Sequence, residues 1–206
     1  MVPKWLEWVK ELQAISQNGL EFANDEFDVE RYKAVRKVAS EILAVHSSLE
    51  PEAIENMFIK ESGYATPKVD VRGVVFKDNK ILLVKEVSDG GWTLPGGWAD
   101  PNETPSYSVE REVFEESGFI VKAKKILAVF DRDKQGHTYP YPFHIYKLFF
   151  LCELIGGEKK LSYETDGVDI FGEEEIPVLS ERRTLKHQIK LFFEHYRNPE
   201  LPAVFD

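Results

Sequence analysis

The 206-residue chain reads as an α+β protein, a mixed sheet flanked by helices and preceded by a small all-α region. Three observations predict this. Over the first sixty or so residues apolar side chains recur at spacings of three and four, the period of a helix packed on one face. In GYATPK, between Gly63 and Pro67, that period gives way to alternating or continuous apolar runs of strand length. Among those runs stands one helix with strong start and stop signals, and a second closes the pattern. The order places a helical N-terminal domain at residues 1–64 and a sheet-containing domain at 68–206.

Trp5, Trp8, Val9, Leu12 and Ile15 mark the first helix, with Asn18-Gly19 as its stop. Asp28 is the expected N-cap of a second, whose stripe is Tyr32, Val35, Ala39, Ile42, Leu43 and His46. His46 continues an apolar stripe with no second ligand at helical spacing, so it reads as a packed or rim histidine. A third helix opens near Pro51 and carries Ile54, Met57 and Phe58 towards Gly63. Strands are expected at 69–76 and 80–87, joined at Asp78-Asn79, then a turn at SDGG. Thr104 as N-cap and Pro105 at the first helical position start a helix that runs to Ser117 and stops at Gly118. Further strands are expected at 120–130 and 143–154, and a last helix at 181–196.

With 43% hydrophobic and 13% aromatic residues the chain has material for a core, which excludes disorder. A formal net charge of −10 disfavours nucleic acid and anionic membranes as partners. A polyphosphate substrate stays compatible, because a bound divalent cation inverts the local field. The single cysteine, Cys152, lies in an apolar run and reads as a buried thiol. MVPKWLEWVKELQ carries charges throughout and no apolar segment of spanning length, so no signal peptide or membrane span is expected, and a cytoplasmic protein is.

The chemistry-bearing stretch is REVFEESGF, residues 111–119. On a helix Glu112, Glu115 and Glu116 fall within roughly 100° of one face. Each like-charged pair there costs a few tenths of a kcal/mol. Mg²⁺ accepts a few carboxylates and completes its octahedron with water and phosphate oxygens, so such a face is a partial metal shell. Val109 and Val113 occupy an adjacent face and are expected to anchor the helix on the sheet, with Phe114 further round. Arg111 precedes Glu115 by four residues and can pair with it, orienting a carboxylate. Leu94-Pro95-Gly96-Gly97 permits a tight backbone and close ligand approach.

Gly97, five residues, Glu103, seven residues and then Arg111 to Phe119 resemble the Nudix box at every fixed position. The resemblance extends more loosely over the sheet segments from about residue 68 onward. It implies an α/β/α Nudix sandwich and a metal-dependent hydrolase, with Mg²⁺ as cofactor and Mn²⁺ as a substitute. It implies Glu112 and Glu116 as principal metal ligands, Glu115 as a further ligand or water-holder, and a backbone carbonyl at Gly96 or Gly97. Arg111 and Glu103 are the implied orienting residues, Glu103 with possible reach to a metal. The implied reaction cleaves a nucleoside diphosphate linked to a moiety X into a nucleoside monophosphate and phospho-X.

Family members often take the general base from outside the box. Glu164, in the polar turn-forming LSYETDG, is the leading candidate, ahead of Glu153 and the run Glu173-Glu174-Glu175. Substrate contacts are expected from Trp98 beside the glycine turn and from Tyr139, Tyr141 and His144 in YPYPFH. Trp92 reads as core; His137 and His144 could contact phosphate, but His137 reads first as an exposed loop histidine.

The helical segment followed by PKVDVRGVVFKDNKILLVKE and GGWTLPGGWAD resembles a bacterial Nudix branch acting on ADP-ribose or CDP-choline. ADP-ribose hydrolases of the family often carry a proline shortly beyond the box. Here that region reads Lys134-Gln135 and the first proline is Pro140, so the substrate stays open within the class. The competing readings are a catalytically silent nucleotide-metabolite sensor, or an enzyme acting on nucleoside triphosphates or RNA 5′ ends. Sensors of that kind commonly lose box glutamates or gain a DNA-binding domain, and neither sign is visible. Trp5, Trp8, Phe22, Phe27, Met57 and Phe58 supply more apolar surface than the helical domain readily buries, so it is expected to dimerise or to cover the substrate site, with a homodimer the preferred outcome.

Overall fold

Helices α1 (Lys4–Phe22), α2 (Glu26–Val45) and α3 (Pro51–Ile59) pack around Leu6, Val9, Ala39, Leu43, Ile54 and Phe58. The buried face of α1 is Leu6, Val9, Gln13 and Ser16; of the expected stripe Val9 is buried and Trp5 and Leu12 pack against the helical core, while Trp8 and Ile15 are exposed. Helix α1 continues through Asn18-Gly19 because Gly19 is where the Tyr32 ring of α2 lies; any Cβ there would collide with it. That glycine serves close helix packing, not termination. Helix α2 is capped by Asp25, which accepts from the Phe27 and Asp28 amides, and Asp28 sits in the first turn. His46 is an exposed rim residue stacked on Trp5 at 4.3 Å.

The computed structural model describes residues 3–137 and 139–206. They form two compact units, Met1–Pro67 with Pro140–His144, and Lys68–Tyr139 with Ile145–Asp206. The 140–144 segment therefore groups with the helices, where Phe143 packs against the helical core and edge-on to Phe58. Among the described residues no helix is long and apolar enough to cross a membrane.

The second unit is built on β1 (Lys68–Lys77), β2 (Lys80–Glu86), β3 (Trp92–Thr93), β4 (Phe119–Asp131), β5 (Ile145–Gly157), β6 (Thr165–Phe171) and β7 (Val204–Phe205). Among the described residues these seven strands run in the order β3-β2-β1-β5-β4-β7, with β6 also on β2. The sheet is mixed: β1 is parallel to β5, and β4 is antiparallel to β5 and parallel to β7. Positive φ at Asp78 and Asn79 makes the β1–β2 hairpin turn.

Strand alternation then divides the core in two. Val71 and Val75, with Leu82, Val84, Phe150 and Cys152, face α4 (Pro105–Ser117) through Val109 and Val113. Val74, Ile81, Leu83 and Phe149 face α5 (Lys186–Arg197) through Ile189, Phe192 and Phe193. Helices thus cover both faces, the α/β/α arrangement. Cys152 is buried, and burial pushes its thiol up to about 12. Phe114, by contrast, is exposed.

Three short or polar strands, β3, β6 and β7, carry too little apolar periodicity to be seen without their partners. The last helix starts at Lys186 and not at 181, because residues 180–184 turn back on themselves, with the Arg183 and Thr184 amides donating to the Ser180 carbonyl. At the end of α4, Gly118 has φ 77, and a Cβ there would meet the Glu158 carbonyl. Gly118→Ala is expected to lower the unfolding free energy by roughly 1–3 kcal/mol, read from the urea midpoint at unchanged m-value.

Candidate active site

Thr104 caps α4 by accepting from the Tyr107 amide at 3.3 Å, with Pro105 at the first helical position. Val109 and Val113 are fully buried against the sheet, each contributing roughly 1.5–3 kcal/mol. They fix the rotation of the helix, and its glutamates follow from that rotation.

The backbone of residues 95–99 runs beside β1: the Gly73 amide donates to the Pro95 carbonyl, Val71 to Gly97, and Ala99 to Val69. Gly96 has φ 142, and a Cβ there would collide with the Val71 carbonyl, so only glycine fits. Its amide donates to Glu116 Oε2 at 2.8 Å. Because β1 takes the carbonyls on either side, the Gly96 carbonyl is the one of the three that β1 leaves over. Gly97 packs directly on the Glu112 carboxylate.

Arg111 is the hub of the helix. Its Nε and Nη2 fork onto Glu103 at 2.9 and 3.1 Å, and Nη1 reaches Glu112 at 2.9 Å and Glu115 at 3.0 Å. Ser108 Oγ donates to Glu103 Oε2 at 2.6 Å. The expected Arg111–Glu115 pair is thus one arm of a larger set. Glu103 is held below the usual carboxylate range, first by its Arg111 hydrogen bond. Burial raises Glu112, against the pull of Arg111. Glu116 is the extreme case: burial, reinforced by Glu86 and Glu112, raises it to about 8 despite Arg72 and the Gly96 amide.

Four further charged residues shape the site and were not singled out from the sequence. Arg72 is buried on β1, donates twice to Asp70 at 2.9 and 2.8 Å, and reaches the Leu94 carbonyl at 3.1 Å. Lys147 on β5 meets Asp70 at 3.1 Å. These partners overcome burial and hold Asp70 down at about 2, while burial lowers Lys147 to about 7. Glu86 is buried at the end of β2, is raised by that burial, and pairs with Arg183 at 2.9 Å. The available signal was a charge inside an apolar strand run (KVDVRGVVF, ILLVKE), which on a covered sheet face demands a partner.

Glu164 is exposed immediately before β6, and its neighbour Thr165 donates to the Glu116 carbonyl at 2.9 Å. Its charge influences Glu86, and its backbone carbonyl accepts from the Val87 amide at 2.9 Å, one residue from Glu86. Glu153 is elsewhere, paired with Lys124 at 3.1 Å. Glu173 pairs with Arg197, and Glu175 with Lys80 at 3.4 Å.

Trp98 is exposed next to the glycine loop and bridges to Asp70. Tyr139 is exposed under the Arg182 guanidinium at 4.5 Å. Tyr141 and His144 are partly buried in the helical unit, Tyr141 edge-on to Phe143. Trp92 packs on the core, edge-on to Phe171. His137 departs from expectation: it is 7% exposed, and burial holds it neutral, at about 3.

Among the described residues no three carboxylate, imidazole or thiol groups converge into a ready-made metal cage. Arg111 draws Glu112 and Glu115 towards itself, and Glu115 is 56% exposed. What Glu112, Glu116 and Glu86 provide is an under-neutralised set of hard oxygen donors. That fits a cation which keeps its own water and shares substrate oxygens.

The second unit is thus a three-layer sandwich whose glycine loop presents its backbone to a carboxylate-bearing helix. Residues 66–194 match the family described as "NUDIX domain", and residues 3–58 match "UDP-X-like, N-terminal oligomerisation domain". The chain belongs to the Nudix hydrolase family, the pyrophosphatase class that the box implied. It is similar to the Bacillus subtilis (strain 168) protein named "Putative ADP-ribose pyrophosphatase YjhB", 39% identical over 98% of this chain and 97% of the relative. It is also similar to a crystal structure of UDP-X diphosphatase, at 32% identity, TM-score 0.64 and 98% coverage of each chain. A third relative, an ADP-ribose pyrophosphatase from Streptococcus suis 89-1591, is 36% identical with TM-score 0.63, covering 68% of this chain and all of that one.

The raised Glu116 has a thermodynamic signature. Between the ordinary glutamate value of 4.5 and about 8, the folded metal-free chain holds a proton at Glu116 that the unfolded chain has lost. Stability therefore falls as pH rises through that window. In EDTA, Glu116→Gln is expected to flatten the dependence, with a urea midpoint above wild type at pH 8 and a gap that closes towards pH 4.5.

Proposed function

We propose that the chain hydrolyses the pyrophosphate bond of a nucleoside diphosphate linked to a second moiety X, of the ADP-ribose or CDP-choline class. The products are a nucleoside monophosphate and phospho-X, and the cofactor is Mg²⁺, with Mn²⁺ as a substitute. The observation that carries this is that Glu116, buried and bonded to the Gly96 amide, is coupled electrostatically to buried Glu86 and half-buried Glu112, on whose carboxylate Gly97 packs. A folded protein keeps such a cluster against its desolvation cost when a cation completes it. The names of the full-length relatives support the substrate class, since both concern nucleoside diphosphates joined to a second group.

Glu112 and Glu116, with Glu115 and the Gly96 carbonyl, are the residues proposed to hold the metal. When bound, the ion neutralises diphosphate charge and acidifies the attacking water. Arg111 and Glu103 keep the loop and helix in register, so the donors stay preorganised. Glu164, exposed and adjoining the cluster, is the proposed base that takes the proton from water. Trp98 and Tyr139 offer exposed rings for stacking on the base, Tyr139 with Arg182 over one face.

The test is a turnover screen over ADP-ribose, CDP-choline, sugar nucleotides, nucleoside triphosphates and capped RNA, with Mg²⁺ and with Mn²⁺. The expected products are AMP with ribose 5-phosphate, or CMP with phosphocholine. Glu116→Gln should lower kcat by roughly two orders of magnitude or more while circular dichroism stays unchanged. Near wild-type turnover in that variant would overturn the ligand assignment.

A homodimer built through the helical unit is part of the same proposal. Phe58 is fully buried, and Trp5 and Met57 pack against the helical core, so these three do not drive association. Trp8, Ile15 and Phe22 do remain exposed, seven residues apart along one stripe of α1, and Phe27 is exposed as well. Light scattering should give twice the chain mass, and Trp8→Glu with Phe22→Glu should reduce it to the mass of one chain.

A further inference from the structure

Glu86 is joined to the candidate active site through the sheet and not through the box. Leu82, Val84 and Glu86 alternate along β2, and the first two belong to the core that faces α4, so Glu86 is set on that same face. Its cross-strand partner is Thr165 of β6, whose hydroxyl donates to the Glu116 carbonyl at 2.9 Å. Glu86 is 5% exposed. Among the described residues one cation lies within ion-pair distance of it: Arg183, whose Nε is 2.9 Å from Glu86 Oε1.

Arg183 is itself held through its other two nitrogens. Nη1 donates to Asp89 Oδ2 at 3.3 Å and to Ser180 Oγ at 3.2 Å, and Nη2 donates to Ser88 Oγ at 3.2 Å. Ser180 Oγ donates in turn to Asp89 Oδ2 at 2.8 Å, and the Gly91 amide to Asp89 Oδ1 at 3.1 Å. The two turns that supply these groups, 88–91 and 180–184, are tied by backbone as well. The Ser180 amide donates to the Trp92 carbonyl at 2.8 Å, and the Glu86 amide to the Gly91 carbonyl at 2.9 Å. A Cβ at Gly91 would collide with the Ser180 backbone, so the turns meet there with no side chain between them.

The guanidinium plane is thus fixed from one side, and the carboxylate on its free edge is Glu86. A buried carboxylate stripped of its cation is left uncompensated and is driven towards water. An ammonium would neutralise Glu86 without setting its direction, whereas an anchored planar fork sets both. Arg111 orients Glu103, Glu112 and Glu115 from the helix, and Glu86 is not among its partners. Arg183 does for the sheet side what Arg111 does for the helix side.

We propose that Arg183, outside the box, is a positioning residue that holds Glu86 on the α4 face of the sheet, towards Glu116, and thereby strengthens binding of the divalent cation. This rests on the metal-dependent hydrolase reading and adds to it a residue from the turn that leads into α5.

Mn²⁺ binding to the substrate-free chain, read from the EPR signal of the free ion, tests it. The chains compared are wild type, Arg183→Met, Arg183→Lys, Glu86→Gln and the double variant Arg183→Met with Glu86→Gln. Kd is expected to rise roughly 10-fold or more in Arg183→Met and in Glu86→Gln. The double variant should bind no more weakly than Glu86→Gln, because Arg183 acts through Glu86. Arg183→Lys keeps the net charge and loses the fork, and should lie nearer to Arg183→Met than to wild type. It also decides the question should Arg183→Met fail to fold. Urea midpoints are taken alongside, since a purely structural role would move them and leave the Mn²⁺ constant of the folded chain unchanged.

Wild-type affinity in Arg183→Lys or Arg183→Met would overturn the proposal. So would additive losses in the double variant, or tighter binding in Arg183→Met, which would show the guanidinium competing with the cation. In turnover assays the Mg²⁺ concentration for half-maximal rate should rise in Arg183→Met, with kcat recovered at saturating Mg²⁺. Binding is measured without substrate, so the expected Mn²⁺ constants in a chain that hydrolyses no diphosphate would defeat the pyrophosphatase reading and uphold this one. No Mn²⁺ binding by wild type would overturn both.

Discussion

Arg72 sets a constraint from which much of the second unit follows. A guanidinium buried at 4% exposure cannot stand without carboxylate and hydrogen-bond partners, because desolvating an unpaired charge costs several kcal/mol. Asp70 supplies the partner from the same strand face, two residues away, and Lys147 completes that carboxylate from the neighbouring strand. The third guanidinium nitrogen of Arg72, Nη1, reaches the Leu94 carbonyl and pins the start of the glycine loop. The pinned loop in turn sets the Gly96 amide against Glu116. Sheet, loop and helix are thereby registered by one side chain.

Around that side chain the charges are divided. On one side Glu86, Glu112 and Glu116 are all raised by burial, and on the other Lys147 is lowered by the same cause. Each side would be relieved by an added charge of opposite sign, a cation among the glutamates and an anion among the lysine and arginines. The proposed metal-bound diphosphate would bring both at once.

Helix α4 separates anchoring from orientation. Its position comes from Val109 and Val113, buried completely and worth several kcal/mol together. The ion pairs of Arg111 are partly solvated and contribute less to stability, typically under about 1 kcal/mol each. Their effect is geometric: one planar fork holds Glu103, Glu112 and Glu115 in fixed relation. A lysine at this position would keep the charge and lose the fork.

How much was legible in the sequence follows from how local each signal is. Thr104, Pro105, Gly118 and the spacing of Glu112, Glu115 and Glu116 act within one helix, so the helix, its ends and its acidic face could be read directly. The Asp78-Asn79 turn and the alternation of β1 and β2 are local in the same sense. Helix α1 misled because Gly19 and Trp8 acquire their meaning from Tyr32 across the bundle and from where the other helices lie. Strand β6 and the turn at 180–184 are defined by partners far along the chain. The sequence by itself determined the family, the helix that bears the carboxylates and the alternation that places helices on both faces of the sheet. Only the tertiary structure decided that Glu86 and Arg72 join Glu116, that His137 is buried with an open acceptor, and that residues 140–144 group with the helices. Burial and long-range pairing set those outcomes, and neither is a property of any short stretch of sequence.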